Sequence, residues 1–313
     1  MPTVGCVNRY FSTFVSCIAA FAAWIPGLQA ETINVPNGSF ESPVSTYVSV
    51  NIDSWQKAAK PDWYVETGGF LWSYNTGLFN NTPTNSADHI DNCDGNQLIW
   101  LFVVPEVALF QDYDSIDWSG PPPTHAFDAT FEAGKSYHLT VGVIGTGGGM
   151  MQGATLEISL YYRDVASNQV TVAAVSITNT TSVFSNSTHL VDFDVNLPTV
   201  RAGDDWAGQH IGIQMLSTVD TNLQGGFWDL DNVRLSAILE PTLLNPIWTN
   251  GQFQFTVRSE PGLRIEMLST TNAALPMLDW SSLGTLTNVT GAISFSDSAT
   301  NWNQRFYRAR RLP

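Results

Sequence analysis

The sequence predicts an all-β protein: a jelly-roll β-sandwich followed by a second, smaller β-sandwich-like domain. Three observations predict it. Apolar and polar residues alternate with a period of two over runs of about five to eight residues, the pattern of a strand buried on one face. The gaps between those runs are turn chemistry, as in SGPPPT at 119–124, TGGGMMQG at 146–153 and RAGDD at 201–205. No stretch carries a sustained 3.6-residue apolar period with caps. Many short strands at such spacing imply a sandwich or jelly roll.

Taken in order, residues 1–30 read as a secretory signal peptide. Arg9 precedes an apolar run from Phe11 to Trp24, and the segment closes on Leu28-Gln29-Ala30, with a small residue where signal peptidase cuts. The run is short for a membrane span, and an uncleaved anchor is the competing reading. The expected location is extracellular or periplasmic. Residues 31–238 form the first domain. Within it, 136–145 places Tyr137, Leu139, Val141 and Val143 on one face, and 154–164 does the same with Leu156, Ile158, Leu160 and Tyr162. Residues 189–197 set Val191, Phe193, Val195 and Leu197 against Asp192, Asp194 and Asn196, and 209–217 offers Ile211, Ile213 and Met215. Pro241 and Pro246 bracket an expected linker, 239–246. Residues 247–313 then read as the small domain, with strands over 251–259, 263–270, 291–297 and 305–311.

The chain has 28 acidic and 13 basic residues, a formal net charge of −15. That balance disfavours nucleic acid and anionic membranes as partners and suits hard cations. Of three cysteines, Cys6 and Cys17 fall in the signal, which leaves Cys93 without an internal partner. The domain must therefore be held by core burial or by metal.

Motifs for common chemistries fail on spacing. EAGKS at 132–136 has Ala129 where a phosphate loop needs glycine, and it leads into a strand. GTGGGM at 145–150 opens no helix, and DFDVN at 192–196 lacks the glycine of a calcium loop. The carboxylates Asp88, Asp91, Asp94, Asp112, Asp114 and Asp117 are candidates for glycoside hydrolysis, although their sequence proximity fixes no separation. The segment PDWYVETGGFLWSY (61–74), with Trp118 further on, offers rings that stack on sugar faces, although for any single ring plugging the sandwich ends or core is the favoured reading.

WDLDNVRL at 228–235 is the most informative stretch. Strict alternation puts Asp229 and Asp231 on one face with Val233 and Leu235, and Arg234 on the other. If that face is the core, the carboxylates need a cation, because burying an unpaired charge costs several kcal/mol. Otherwise they are exposed or accept backbone N–H groups at a bulge.

NGSFESP at 37–43 and DLDNVRL at 229–235 together resemble the bracketing motifs of galactose-binding-like β-sandwich domains, which include carbohydrate-binding modules of secreted bacterial proteins. The resemblance covers about residues 31–238 and takes in Trp55, DGNQLIWL and AGKSYHLTVGV. It implies that the first and last strands are neighbours. It also implies a structural Ca²⁺ there, held by Glu41, Asp231 and backbone carbonyls. The C-terminal part, with Trp280, FSD at 295–297 and RFYR at 305–308, is similar to a small β-domain that ends many secreted proteins of Verrucomicrobia and Planctomycetes. On these grounds the expectation is a secreted, non-catalytic protein that binds a polysaccharide or cell-surface glycan, with Trp72, Tyr74 and Trp118 as stacking groups. No nucleic acid is expected as a partner, and no membrane insertion. The alternatives are an adhesive matrix protein without a sugar site, and a glycan hydrolase.

Overall fold

The computed structural model describes residues 30–117, 125–298 and 304–312. Eighteen strands are present among them, with three short 3-10 turns. In chain order the strands are β1 (Glu31–Ile33), β2 (Val48–Ser49), β3 (Gln56–Lys57), β4 (Thr76–Asn80), β5 (Gln97–Phe102), β6 (Ala108–Gln111), β7 (Lys135–Gly147), β8 (Thr155–Arg163) and β9 (Gln169–Thr178). There follow β10 (Val191–Leu197), β11 (Gly212–Ser217), β12 (Phe227–Leu239), β13 (Thr242–Thr249), β14 (Gln252–Arg258), β15 (Leu263–Thr270), β16 (Ser281–Asn288), β17 (Ala292–Asp297) and β18 (Phe306–Arg311).

The all-β sandwich is as the alternation predicts. A seven-stranded sheet runs β10-β7-β12-β5-β4-β2, with β1 also on β12, and faces a five-stranded sheet, β3-β6-β11-β8-β9. Neighbours are antiparallel throughout. The core lies between the two: Ile99, Leu101, Leu139, Val141, Trp228 and Leu230 from one sheet meet Leu109, Ile158, Leu160, Ile213 and Met215 from the other, all fully buried. Beyond β12, two three-stranded sheets, β13-β14-β17 and β16-β15-β18, close on a separate cluster of Phe255, Val257, Leu263, Ile265 and Met267.

The first and last strands of the large sandwich are neighbours, with Ile33 opposite Leu235. The Asn37–Ser42 turn beside them is fixed by its own side chains. Asn37 Nδ2 donates to Ser42 O (2.7 Å) and Asp53 O (2.8 Å), and Trp55 Nε1 donates to Asn37 O (3.1 Å). Phe40 is fully buried against Trp55, with ring centroids 5.3 Å apart. Gly38 lies so close to β12 that an added Cβ would stand 2.6 Å from Val233 O, so only glycine fits. The two bracketing motifs therefore touch.

The point of contact corrects the alternation read from the sequence. Asn232 adopts φ +58°, and the pairing of β12 with β7 slips between Asp231 and Arg234. The bulge inserts one residue and reverses the parity of the strand. Trp228 and Leu230 face the core before it, Val233 and Leu235 after it. Asp229 and Asp231 thus point away from the core, onto the outer face of the seven-stranded sheet.

Candidate active site

That outer face carries a cavity of about 730 Å³. Its floor is side chains from neighbouring strands: Phe79 on β4, Trp100 and Phe102 on β5, Phe227 and Asp229 on β12. Trp100 and Asp229 stand directly opposite each other in the ladder. Phe70 and Tyr74 form one wall, and the Thr82–Ile90 loop with Ser187 and Thr188 forms the other. The rings make a continuous edge-to-face chain. Tyr74 meets Phe70 at 6.3 Å, Phe70 meets Phe102 at 5.7 Å, and Phe102 meets Phe227 at 6.1 Å between centroids.

Two glycines let the flanking rings lie down. A Cβ on Gly77 would fall 2.2 Å from the Trp100 ring, and one on Gly147 would fall 2.6 Å from the Phe227 ring. Trp100 is pinned further by its Nε1, which donates to Tyr74 O at 3.0 Å. The facing loops are tied together: Asp91 N donates to Thr188 O (3.1 Å), Leu190 N to Asn92 Oδ1 (2.8 Å), and His189 Nδ1 lies 2.6 Å from Asp91 Oδ1.

Asp229 is the ionisable group of the floor. Its Oδ1 is buried and has no hydrogen-bond partner. Burial pushes its carboxyl up to about 7. A carboxyl group that keeps its proton near neutral pH inside an aromatic cavity can act as a general acid. The rings around it can stabilise positive charge on whatever it protonates.

Asp231, two residues on, is fully buried and faces a different neighbourhood. Its Oδ2 accepts from Asp94 N at 2.7 Å, while Oδ1 has no partner. Burial raises it to about 7, against the opposing pull of that backbone N–H. Glu41 grips the same loop: its Oε1 accepts from Asn96 N and Gln97 N, both at 2.7 Å. Gly95 makes room for it, since a Cβ there would stand 2.5 Å from Oε1. Cys93 sits beside Asp231, its thiol donating to Gln97 O at 3.6 Å and driven upward in pKa by burial and by both carboxylates. Among the described residues no group of three or more His, Cys, Asp or Glu side chains is placed to hold a metal ion. The orphaned Asp231 Oδ1 nonetheless fits a hard cation whose remaining ligands are oxygens of the backbone or solvent.

The residues expected to stack on sugar are separated. Trp72 is buried in the sandwich core, with Nε1 donating to Ala58 O at 2.8 Å and its ring edge-on to Tyr64. Tyr74 does line the cavity. Trp118 lies outside the described residues. The candidate hydrolytic carboxylates are dispersed as well. Asp88 is on the cavity rim, Asp91 pairs with His189, and Asp112 accepts from Tyr161 Oη (2.7 Å) and Arg163 Nε (2.8 Å) on the other sheet. Sequence reasoning missed Phe70, Phe79, Trp100, Phe102 and Phe227 as a set and gave Asp229 no role of its own.

The outer face of the antiparallel sandwich thus holds an aromatic cavity with a buried carboxyl group in its floor. Residues 31–236 match the model of the HpiC1-like family, described as HpiC1 cyclase. The chain belongs to that family. The match begins at β1 and ends within β12, so it spans both bracketing motifs and stops before the C-terminal sheets. Among solved structures, the chain is similar to a cyclase from Fischerella sp. TAU, at 22% identity over 68% of this chain and 100% of that one, with a TM-score of 0.49. The same organism's cyclase in complex with 4-(1H-indol-3-yl)butan-2-one gives 23% identity over 68% and 100%, with a TM-score of 0.48. The CBM22-1 xylan-binding domain of Paenibacillus barcinonensis Xyn10C gives 10% identity over 59% and 85%, with a TM-score of 0.32. A comparison with curated proteins finds no match.

Family membership overturns two expectations. The chain belongs to a family of cyclases, which are enzymes, so the non-catalytic reading is wrong, and so are its adhesive and hydrolytic alternatives. Polysaccharide or cell-surface glycan as the partner falls with it. The bracketing motifs mark how the sandwich closes, and closure is shared by domains of different function.

Proposed function

We propose that this protein is a cyclase that binds a small, flat, largely apolar molecule in the outer-face cavity and closes a ring on it by acid catalysis. Asp229 is the proton donor. The observation that carries the reading is a carboxyl group held at about 7 by burial, within a cavity walled by aromatic rings. Asp229 transfers its proton to a π-bond or basic atom of the substrate. Positive charge then develops on the substrate, next to the Asp229 carboxylate and over the faces of Trp100, Phe102 and Phe227. A second π-bond of the same molecule attacks the cationic centre and closes the ring. A proton leaves the cyclised cation and returns to Asp229, so the product is an isomer of the substrate. The apolar walls keep water from quenching the cation.

An indole carrying an unsaturated side chain is the substrate class we infer, since a fused pair of rings suits a cavity of this size and aromatic lining. 4-(1H-Indol-3-yl)butan-2-one supplies the first binding probe. The test is turnover of indolyl alkenes in D₂O. A product of substrate composition carrying one solvent deuterium, absent with Asp229→Asn, is the expected result. Full turnover by Asp229→Asn, or addition of water to the product, refutes it.

We also propose that Glu41 and Asp231, with backbone carbonyls, hold a structural Ca²⁺ that fastens the 93–97 loop. The ion would neutralise two carboxylates in an otherwise acidic region. EDTA that leaves the melting temperature unchanged refutes this. Export through residues 1–30, and a separate accessory unit built from the C-terminal strands, complete the reading; the expected linker at 239–246 is mostly strand, since β12 runs to Leu239 and β13 begins at Thr242. Cleavage after Ala30 in the mature protein tests the first of these.

A further inference from the structure

We propose that Lys57 is a positioning residue for the cavity, holding the Trp72–Asn75 turn and, through it, the wall that Tyr74 and Trp100 form. The proposal rests on reading the cavity as the ligand site. Lys57 belongs to β3, the edge of the five-stranded sheet, whereas the turn leads into β4 of the other sheet. Its Nζ donates to Ser73 O, and to Thr76 O at 2.6 Å. The neighbouring carbonyls of the turn have donors too. Trp72 O accepts from Asn75 Nδ2 and Tyr74 O from Trp100 Nε1, both at 3.0 Å. At the start of the turn, Trp72 N donates to Glu66 Oε1 at 2.8 Å.

The Lys57 bonds join the two sheets at the cavity wall. They are charge-assisted, as is the bond from Trp72 N to Glu66, which makes these the strong members of the set. Trp100 has a single seat. Its ring fills the space that a Gly77 Cβ would occupy, and its only bond at Nε1 is to the turn. A shift of the turn therefore moves the indole that faces Asp229. No such bond ties Phe227, whose seat on Gly147 is independent of Lys57.

Burial lowers Lys57 to about 8, with no carboxylate contributing. Of the charged or titratable groups on the adjoining segments, Glu66 is engaged with Trp72 N and Asp117 accepts from Ser54 Oγ at 2.9 Å. Lys60 donates to Tyr64 O at 3.2 Å, and Tyr74 is carried by the turn itself. Below about pH 8 the ammonium holds the turn; above it the neutral amine loses the charge-assisted part of both bonds.

The test follows the Trp100 indole N–H by ¹⁵N NMR of the whole chain, assigned by its loss in Trp100→Phe. Wild type is expected to shift with a midpoint near pH 8. Lys57→Arg, which stays charged, is expected to be flat across that range. Lys57→Met is expected to sit at a displaced position at every pH and to bind the indolyl ketone about tenfold more weakly at pH 7. A wild-type resonance that does not titrate, or a Lys57→Met spectrum and affinity equal to wild type, overturns the proposal. If Lys57→Met does not fold, the wild-type and Lys57→Arg titrations decide it. A ketone that fails to bind wild type refutes the ligand reading alone, because the resonance reports on the turn without any ligand.

Discussion

Asp229 and Asp231 stand two residues apart on one strand and one face, and their surroundings differ. Asp229 opens onto aromatic rings, with Oδ1 unpartnered and nothing to stabilise its charge. Asp231 turns to a backbone loop, accepts a hydrogen bond from it, and shares that loop with Glu41. Burial raises both carboxyls to about 7, yet only Asp231 has groups that favour its ionised form. On the proposed reading, the same cost, a carboxyl taken out of water, serves reactivity where the surroundings are apolar and fastening where they are polar.

The largest expected effect separates the two in catalysis. Asp229→Asn should lower turnover by about 10²–10⁴-fold, the usual contribution of a general acid, whereas Asp231→Asn should retain most of it. Steady-state rates on both variants at pH 6.5 decide this. Next comes stability. From about pH 4 to 7 the folded protein keeps the Asp229 proton that the unfolded chain has released, so stability falls across that window and is lowest above it. Three pH units correspond to roughly 4 kcal/mol as an upper bound. Asp229→Asn should therefore raise the melting temperature at pH 8 and leave it nearly unchanged at pH 4. Calorimetry at the two pH values reads the contrast.

Trp72→Ala should cost about 3–5 kcal/mol by opening the core, and Tyr74→Phe almost nothing in stability. Chemical denaturation of the two variants distinguishes the core ring from the cavity ring. The smallest effect concerns the cation. EDTA should lower the melting temperature of wild type and Asp229→Asn alike, and should do nothing further to Asp231→Asn or Glu41→Gln.

Much of the fold was legible in the sequence. The period-two runs mark β7, β8, β10, β11 and most C-terminal strands, and β15 spans the stretch expected for it. The closure of β1 on β12 was legible in NGSFESP and WDLDNVRL. The site was not, for three physical reasons. Strict alternation placed Asp229 with Val233, and a single left-handed residue, Asn232, reverses that. Asn adopts this conformation more easily than most residues, so the Asp-Asn pair before Val233 held the one available hint. Phe70, Trp72 and Tyr74 fall within five residues, yet the 3-10 turn sends Trp72 into the core and leaves the other two at the cavity. Ring content alone does not assign sides. Finally, the cavity assembles from residues as far apart as Val48 and Asp229, so its chemistry has no contiguous motif.

The proposed reaction requires Asp229 to carry a proton near neutral pH in the folded protein. The direct measurement is a ¹³C NMR titration of the aspartate carboxyl groups in wild type, Asp229→Asn and Asp231→Asn. A resonance with a midpoint near 7 that disappears in Asp229→Asn and persists in Asp231→Asn is the expected result. An Asp229 resonance that titrates near 4 would contradict it.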